Sequence, residues 1–194
     1  LDKDTSGLMV AAKHDAAHVG LSELFARHDI NRRYRALVWG PLRRAKGRIE
    51  GNIGRDPRNR KRMAIVARGG KPAITHFQRV ASYGQVATLV DCRLETGRTH
   101  QIRVHAAHSG HPVAGGERYG DESFNVTMAS LGLHCLFLHA HAVEFVWPDS
   151  DEVFAVSAPL PEELSVVSDA LTISLRVEGV NGQVSEGARK PDKW

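Results

Sequence analysis

The stretch Ala73–Leu94, AITHFQRVASYGQVATLVDCRL, decides the class of fold. Two segments rich in β-branched and apolar residues, Ala73–Ala81 and Gln85–Leu94, flank Tyr83-Gly84. A glycine between two such segments marks a tight reversal, so an antiparallel hairpin is predicted here. Upstream, Tyr34–Trp39 (YRALVW) alternates and stops at the turn signal Gly40-Pro41, which predicts another strand, with Arg48–Ile53 expected to pair with it. Met63–Ala67 reads as a short strand before a turn at Gly69-Gly70, and Leu8–Lys13 as a strand after Gly7. Asp15 is the predicted N-cap of a helix through Asp29, with Val19, Leu24 and Phe25 on its buried side.

Downstream of the hairpin, Thr99 is the predicted N-cap of a helix that Gly110 closes before Pro112, although the alternation of Ile102 and Val104 also suits a strand. Cys135–Trp147 has period-2 character and ends at Pro148, and Val153–Ser157 is its natural partner. Pro161 starts a short helix through Leu171, and the polar, Gly-rich chain from Glu178 onward is expected to be disordered. Many strands with few helices between them predict an α+β domain on a largely antiparallel sheet.

A length of 194 residues suits one domain with a real core, and an apolar fraction of 42% argues against disorder of the whole chain. No apolar run approaches the roughly 18–20 residues of a membrane span, and no secretory signal is visible. Cys92 and Cys135 are isolated in apolar runs and read as buried free thiols. The expectation is a cytoplasmic monomer with no membrane partner. Charge is concentrated: between Arg43 and Lys71 only Glu50 and Asp56 oppose a run of basic residues that includes Arg58, Arg60, Lys61 and Arg62. Such a field attracts a phosphate backbone, although a solvated loop would carry the same charges.

Three segments hold residues suited to chemistry. LDKDTSG (1–7) can present a carboxylate at a sheet edge among hydroxyl and backbone donors, or can be a simple capped turn. Tyr34 lies in RRYRALVWG, where an aromatic among arginines suits either base stacking or the core. LETGRTHQIRV (94–104) brings Arg98, His100, Gln101 and Arg103 to a helix start, where an arginine can hold a carboxylate. The histidines His100, His105, His108 and His111 lack nearby cysteine and carboxylate ligands at metal spacing, so no metal is expected.

In order and spacing, LDKDTSGLMVAAK, RRYRALVWG and LETGRTHQIRVHAAHSGHPVAG resemble successive motifs of the RluA-type pseudouridine synthases. GRDPRNRKRMAIVARGGKPAITHF, RYGDESF and LFLHA extend the similarity through most of residues 1–160. The resemblance implies the pseudouridine-synthase fold, a mixed, largely antiparallel sheet flanked by helices with a cleft across it. Residues 1–172 would form the catalytic domain and 173–194 a polar, disordered tail. Asp2 matches the aspartate of the family's HRLDxxTSG motif, Tyr34 its active-site aromatic and Arg103 the basic partner of that aspartate, while Leu138 is expected beneath the base. Asp4 falls at a variable position. Arg98, His100, Gln101 and the basic loop Arg58, Arg60, Lys61 and Arg62 are expected to bind substrate. The sequence opens at Leu1-Asp2 without Met, so it reads as a fragment with the His-Arg of the motif lost upstream. Gly116 stands where the family more often has aspartate, which reads as a structural change.

The implied reaction breaks an N-glycosidic bond, turns the base and rejoins it to ribose through carbon. It involves no net redox change or hydrolysis, so no cofactor is expected. An ionised Asp2 would act as nucleophile or stabilise the sugar, Arg103 would orient it, and Tyr34 would stack on the base and assist proton removal. The expected partner is RNA, 23S rRNA or an assembly intermediate of the large subunit. A tRNA or dual-specificity enzyme, or a non-catalytic RNA-binding module on the same fold, is the alternative.

Overall fold

The predicted hairpin is the middle of an eight-stranded mixed sheet. The computed structural model describes residues 1–148, 150 and 152–181. Its elements are β1 (Ser6–Gly7), α1 (Asp15–Arg27), β2 (Asn31–Trp39), β3 (Lys46–Arg55), β4 (Met63–Ile65), β5 (Lys71–Tyr83), β6 (Ala87–Leu94), α2 (Gln101–His108), α3 (Glu122–Ser130), β7 (Leu138–Val146), β8 (Val153–Ser157) and α4 (Glu162–Asn181). The strands lie in the order β1-β7-β2-β6-β5-β3-β4, with β8 also on β7. Among the described pairings only β1 with β7 is parallel.

Alternation along β2 sorts the core into two layers. On the front face Ala36 and Val38 pack with Val90, Cys92 and Leu94 of β6 against Ile102 and Ala106 of α2. On the back face Leu37, Leu89 and Tyr83 meet Phe124 and Met128 of α3 and Leu164, Val167 and Leu171 of α4. Cys92 is buried and Cys135 partly buried, both free thiols.

Several expectations are corrected. The Leu8–Lys13 strand is absent; pairing stops at Gly7, and Leu8 and Val10 turn to pack against Leu21 and Leu24 of α1. Helix α1 is capped by His14, whose Nδ1 accepts the Ala17 amide at 3.2 Å, so Asp15 is the first helical residue and not the cap. Val19 and Phe25 face outward, because the buried stripe runs through Ala17, Leu21 and Leu24. Arg48–Ile53 pairs with β5 and not with β2, both of whose edges are taken by β6 and β7. Thr99 does not cap α2; the residue before that helix is His100, in the left-handed region at φ 56°. Helix α3 was not expected, although Asp121 announces it by accepting the Phe124 amide at 2.9 Å. Helix α4 runs past Leu171 to Asn181, so the first residues of the expected disordered tail are helical. The remainder of that tail, 182–194, lies outside the described residues.

Candidate active site

Asp2 is held at the edge of the front face by its own motif. The Thr5 amide donates to the Asp2 carbonyl at 3.1 Å, closing a turn, and Ser6 Oγ lies 2.9 Å from His139 Nδ1. Gly7 then has φ 102°, and a Cβ there would stand 2.2 Å from the Ala140 carbonyl oxygen. Only glycine lets β1 lie this close to β7. The TSG part of the motif is therefore a clamp that fixes where the carboxylate sits.

The first turn of α2 supplies the partner. Gln101 is buried and uses its whole amide: Oε1 accepts from Thr96 Oγ1 (2.7 Å) and the Arg98 amide (3.0 Å), while Nε2 donates to the Ile74 carbonyl (2.9 Å) and Thr75 Oγ1 (3.0 Å). These four bonds exhaust the group and weld the helix start to β5 and the loop after β6. Two residues on, Arg103 is buried, with its Nη1 3.9 Å from Asp2 Oδ2. That is an ion pair beyond hydrogen-bonding distance, so Arg103 holds the carboxylate by charge and not by a hydrogen bond. The guanidinium instead rests 5.1 Å from the centre of the Tyr119 ring, and its Nε has no hydrogen-bond partner among the described residues. The Asp2 side chain keeps 23% of its surface exposed, against 6% for Arg103. The carboxylate is thus the presented member of the pair.

On the open side of Asp2 lies a cleft of about 270 Å³ whose walls include Asp2, Arg32, Tyr34, His100 and Leu138. Leu138 begins β7 beside Ala36 and forms an apolar floor. Burial raises the pKa of Tyr34, Arg32 pulls it down and the charge of Asp2 adds to the rise. The phenol is therefore neutral near pH 7, and a flat uncharged ring beside an apolar floor suits a nucleobase.

The cleft gathers Asp2, Tyr34, Leu138, Arg98, His100 and Gln101, and Arg103 reaches it through Asp2. Arg98 donates Nε to the Pro72 carbonyl at 2.9 Å. Of the basic loop, only Arg62 comes near: its guanidinium lies 5.1 Å from the same Tyr119 ring that carries Arg103. Arg58, Arg60 and Lys61 are exposed on a loop closed by Asp56 Oδ1 accepting the Arg58 amide and Asn59 Oδ1 accepting the Lys61 amide. Two residues beyond the expected set belong to the site. Tyr119 receives the Met63 amide on its hydroxyl at 2.9 Å and touches His100 Nδ1 at 2.8 Å, joining the basic loop to α2. Burial lowers the pKa of His100, Asp2 opposing, so that ring is neutral near pH 7. Arg32 projects into the cleft from β2, with its guanidinium so close to Gly97 that a Cβ there would lie 2.7 Å from Nη1. Arg32 was legible as the front-face neighbour of Tyr34 two residues away. Tyr119 was legible only as part of RYGDESF. His105 and His111 are engaged separately, on Thr75 Oγ1 and the Trp39 carbonyl.

Known proteins resemble this chain in sequence and fold. Residues 1–108 match the family described as RNA pseudouridylate synthase. The chain is 42% identical over 179 residues to the ribosomal large subunit pseudouridine synthase D of Zymomonas mobilis, covering 91% of this chain and 56% of that protein. It is 38% identical over 205 residues to the protein of the same name from Neisseria meningitidis, covering 100% of this chain and 54% of that one. The chain spans about half the length of the curated relatives it matches. The solved human RNA pseudouridylate synthase domain containing 1 superposes with a TM-score of 0.73 at 27% identity, covering 91% of this chain and 78% of that one. Human RNA pseudouridylate synthase domain containing 4, at 23% identity and a TM-score of 0.65 over 82% of this chain and 69% of that one, shares the fold.

Proposed function

This chain belongs to the RNA pseudouridylate synthase family, and on that premise we propose that it isomerises uridines of large-subunit ribosomal RNA to pseudouridine, using Asp2 and no cofactor. The observation that carries the reading is a partly exposed carboxylate and a neutral aromatic ring lining one cleft, with a buried guanidinium behind the carboxylate. In the reaction the bond from ribose C1′ to N1 of uracil breaks, the base turns, and C1′ bonds to C5. The proton on C5 leaves and N1 gains one, so atoms and electrons balance within the nucleotide and water. No redox partner is needed.

The residues divide the work. Asp2 supplies a negative oxygen that attacks the nucleotide or stabilises positive charge on the sugar. Arg103 orients that oxygen from behind, without taking the place of substrate. Tyr34 and Leu138 hold the uracil from two sides so that it turns without leaving. The uridine must leave its stack to enter a cleft of this size, which costs a few kcal/mol and is offset by ring stacking and phosphate contacts. Arg62 beside Tyr119, and the exposed Arg58, Arg60 and Lys61 of the same loop, supply positive charge that would attract an RNA backbone.

Two relatives that bear the name ribosomal large subunit pseudouridine synthase D support the large-subunit rRNA as substrate. The test is pseudouridine mapping across rRNA and tRNA from a strain lacking the gene. Lost sites in 23S rRNA are expected. Losses confined to tRNA would overturn the substrate, and no loss in any RNA would overturn the activity.

A further inference from the structure

We propose that the back face of the sheet carries a second RNA-binding groove, remote from the cleft, which grips the phosphate backbone of a separate stretch of the substrate RNA. This rests on the reading of RNA as substrate. The starting point is the alternation of β2: Arg32 and Tyr34 look into the front cleft, so Arg33 and Arg35 look out of the back. Helices α3 and α4 cover the other end of that face, around Leu37 and Leu89. The end that holds Arg33 is left as an open hollow of about 380 Å³, whose lining includes Arg33, Lys46, Arg48, His76, Asp91 and Arg93.

Strand register aligns these groups. Arg48 of β3 is opposite His76 of β5, His76 is opposite Arg93 of β6, and Arg93 is opposite Arg33 of β2. With about 4.8 Å between strands, this row runs about 14 Å straight across the sheet. The row beside it reads Lys46, Gln78, Asp91 and Arg35 by the same pairings. Like charges directly opposite each other destabilise a sheet. Glu50 pairs with Arg48, Glu95 with His76 and more distantly with Arg93, and Asp91 with Arg33 and Arg35. Five arginines and lysines therefore face three carboxylates, before the histidines are added.

Asp91 shows that the cluster is built. Its side chain is 6% exposed, yet it takes Arg33 Nε at 3.2 Å, Arg35 Nε at 3.6 Å and His141 Nε2 at 2.9 Å. His141 reaches it because β7 slips register there: Arg33 pairs with Ala142 and Tyr34 with Ala140, leaving His141 as the bulged residue. A buried carboxylate and a bulge thus hold two guanidiniums at the floor, while Arg48 and Arg93 keep about half their surface. A row of three guanidiniums and a histidine spread across four strands matches a repeating phosphate chain better than it matches a single small anion.

The test uses the double variant Arg48→Gln/Arg93→Gln, neither residue touching the cleft. Binding to a long 23S rRNA fragment is measured from 50 to 200 mM salt, with single-turnover kinetics and melting temperature alongside. The expected result is a Kd and a KM raised about tenfold, and a log–log salt slope shallower by about 1.4, two contacts at about 0.7 each. The rate at saturating RNA should stay unchanged, and the melting temperature of the RNA-free protein should change little, because the ion pairs lost with Glu50 and Glu95 are solvent-exposed and the relief of neighbouring like charges offsets them. Active wild type with unchanged variant affinity and slope would overturn this inference alone. So would a lower melting temperature with a matching fall in saturated rate. A wild type that neither binds nor isomerises RNA would instead end the functional reading, and this inference with it.

Discussion

Tyr34 and Arg33 are neighbours in the chain and serve opposite faces of one strand, and the two faces invert each other's electrostatics. On the front a buried cation, Arg103, backs a partly exposed carboxylate, Asp2. On the back a buried carboxylate, Asp91, backs the exposed guanidiniums of Arg33 and its neighbours. On the proposed reading, the buried member of each pair is scaffold and the more exposed member is what a ligand meets. A partly exposed anion beside an aromatic ring and an apolar floor suits chemistry on a sugar; exposed cations on an open face suit a phosphate chain. Burial, more than charge count, tells the two functions apart.

The comparison breaks first if the front scaffold can be changed freely. Arg103→Lys keeps the charge but loses the planar group on Tyr119, and the single-turnover rate should fall on the order of 10³-fold with RNA affinity little altered. Stopped single-turnover assays with binding curves would show this, and a rate within a few fold of wild type would contradict it.

Helix α2 also carries His105, fully buried in the front layer, whose pKa is pushed down to about 4 by burial and then by His108. The unfolded chain takes up a proton near pH 6.5 that the folded chain refuses until about pH 4. Stability from this group is complete above pH 6.5 and declines as pH falls toward 4, by up to about 3 kcal/mol. Urea midpoints from pH 7 to 4.5 should drop more for wild type than for His105→Gln. On the back, burial also lowers the pKa of His141 but Asp91 opposes it, so proton NMR should find His141 titrating above His105.

Asp91→Asn probes the back scaffold. It should cost about 2 kcal/mol of stability, below the usual range for a broken buried pair because Arg33 can rehydrate, and leave the saturated rate near wild type. Thermal melts and kinetics together check it; a catalytic defect without a stability loss would erase the distinction between the faces. The smallest effect is expected at the ring itself. Tyr34→Leu should slow turnover about tenfold, since stacking is worth about 1–3 kcal/mol per base, while Tyr34→Phe should change it less than threefold. Equal defects in both would shift the role from the ring to the hydroxyl.

The strands could be read from the sequence wherever alternation is local, as in Tyr34–Trp39, the hairpin at Gly84 and the pair Leu138–Val146 with Val153–Ser157. What could not be read was order. Nothing within Arg48–Ile53 says that β5 rather than β2 is its neighbour, because pairing depends on which edges other segments have already filled. The same limit governs the sites. Motif resemblance pointed to Asp2, Tyr34, Arg103 and Leu138, and the fold brings them to one cleft. It could not show that Gln101 is consumed by four internal bonds, or that Tyr119 bridges Arg62 and Arg103. The back row was invisible, since Arg33, Arg48, His76 and Arg93 come together only through the register of β2, β3, β5 and β6.

All of this depends on Asp2 taking part directly in rearranging the nucleotide. Tritium release from RNA labelled at C5 of uridine, followed over one turnover with enzyme in excess, reports that event. Wild type should release label and Asp2→Asn should fall by a factor on the order of 10⁴ or more while still binding the RNA; equal release from both proteins would contradict the account.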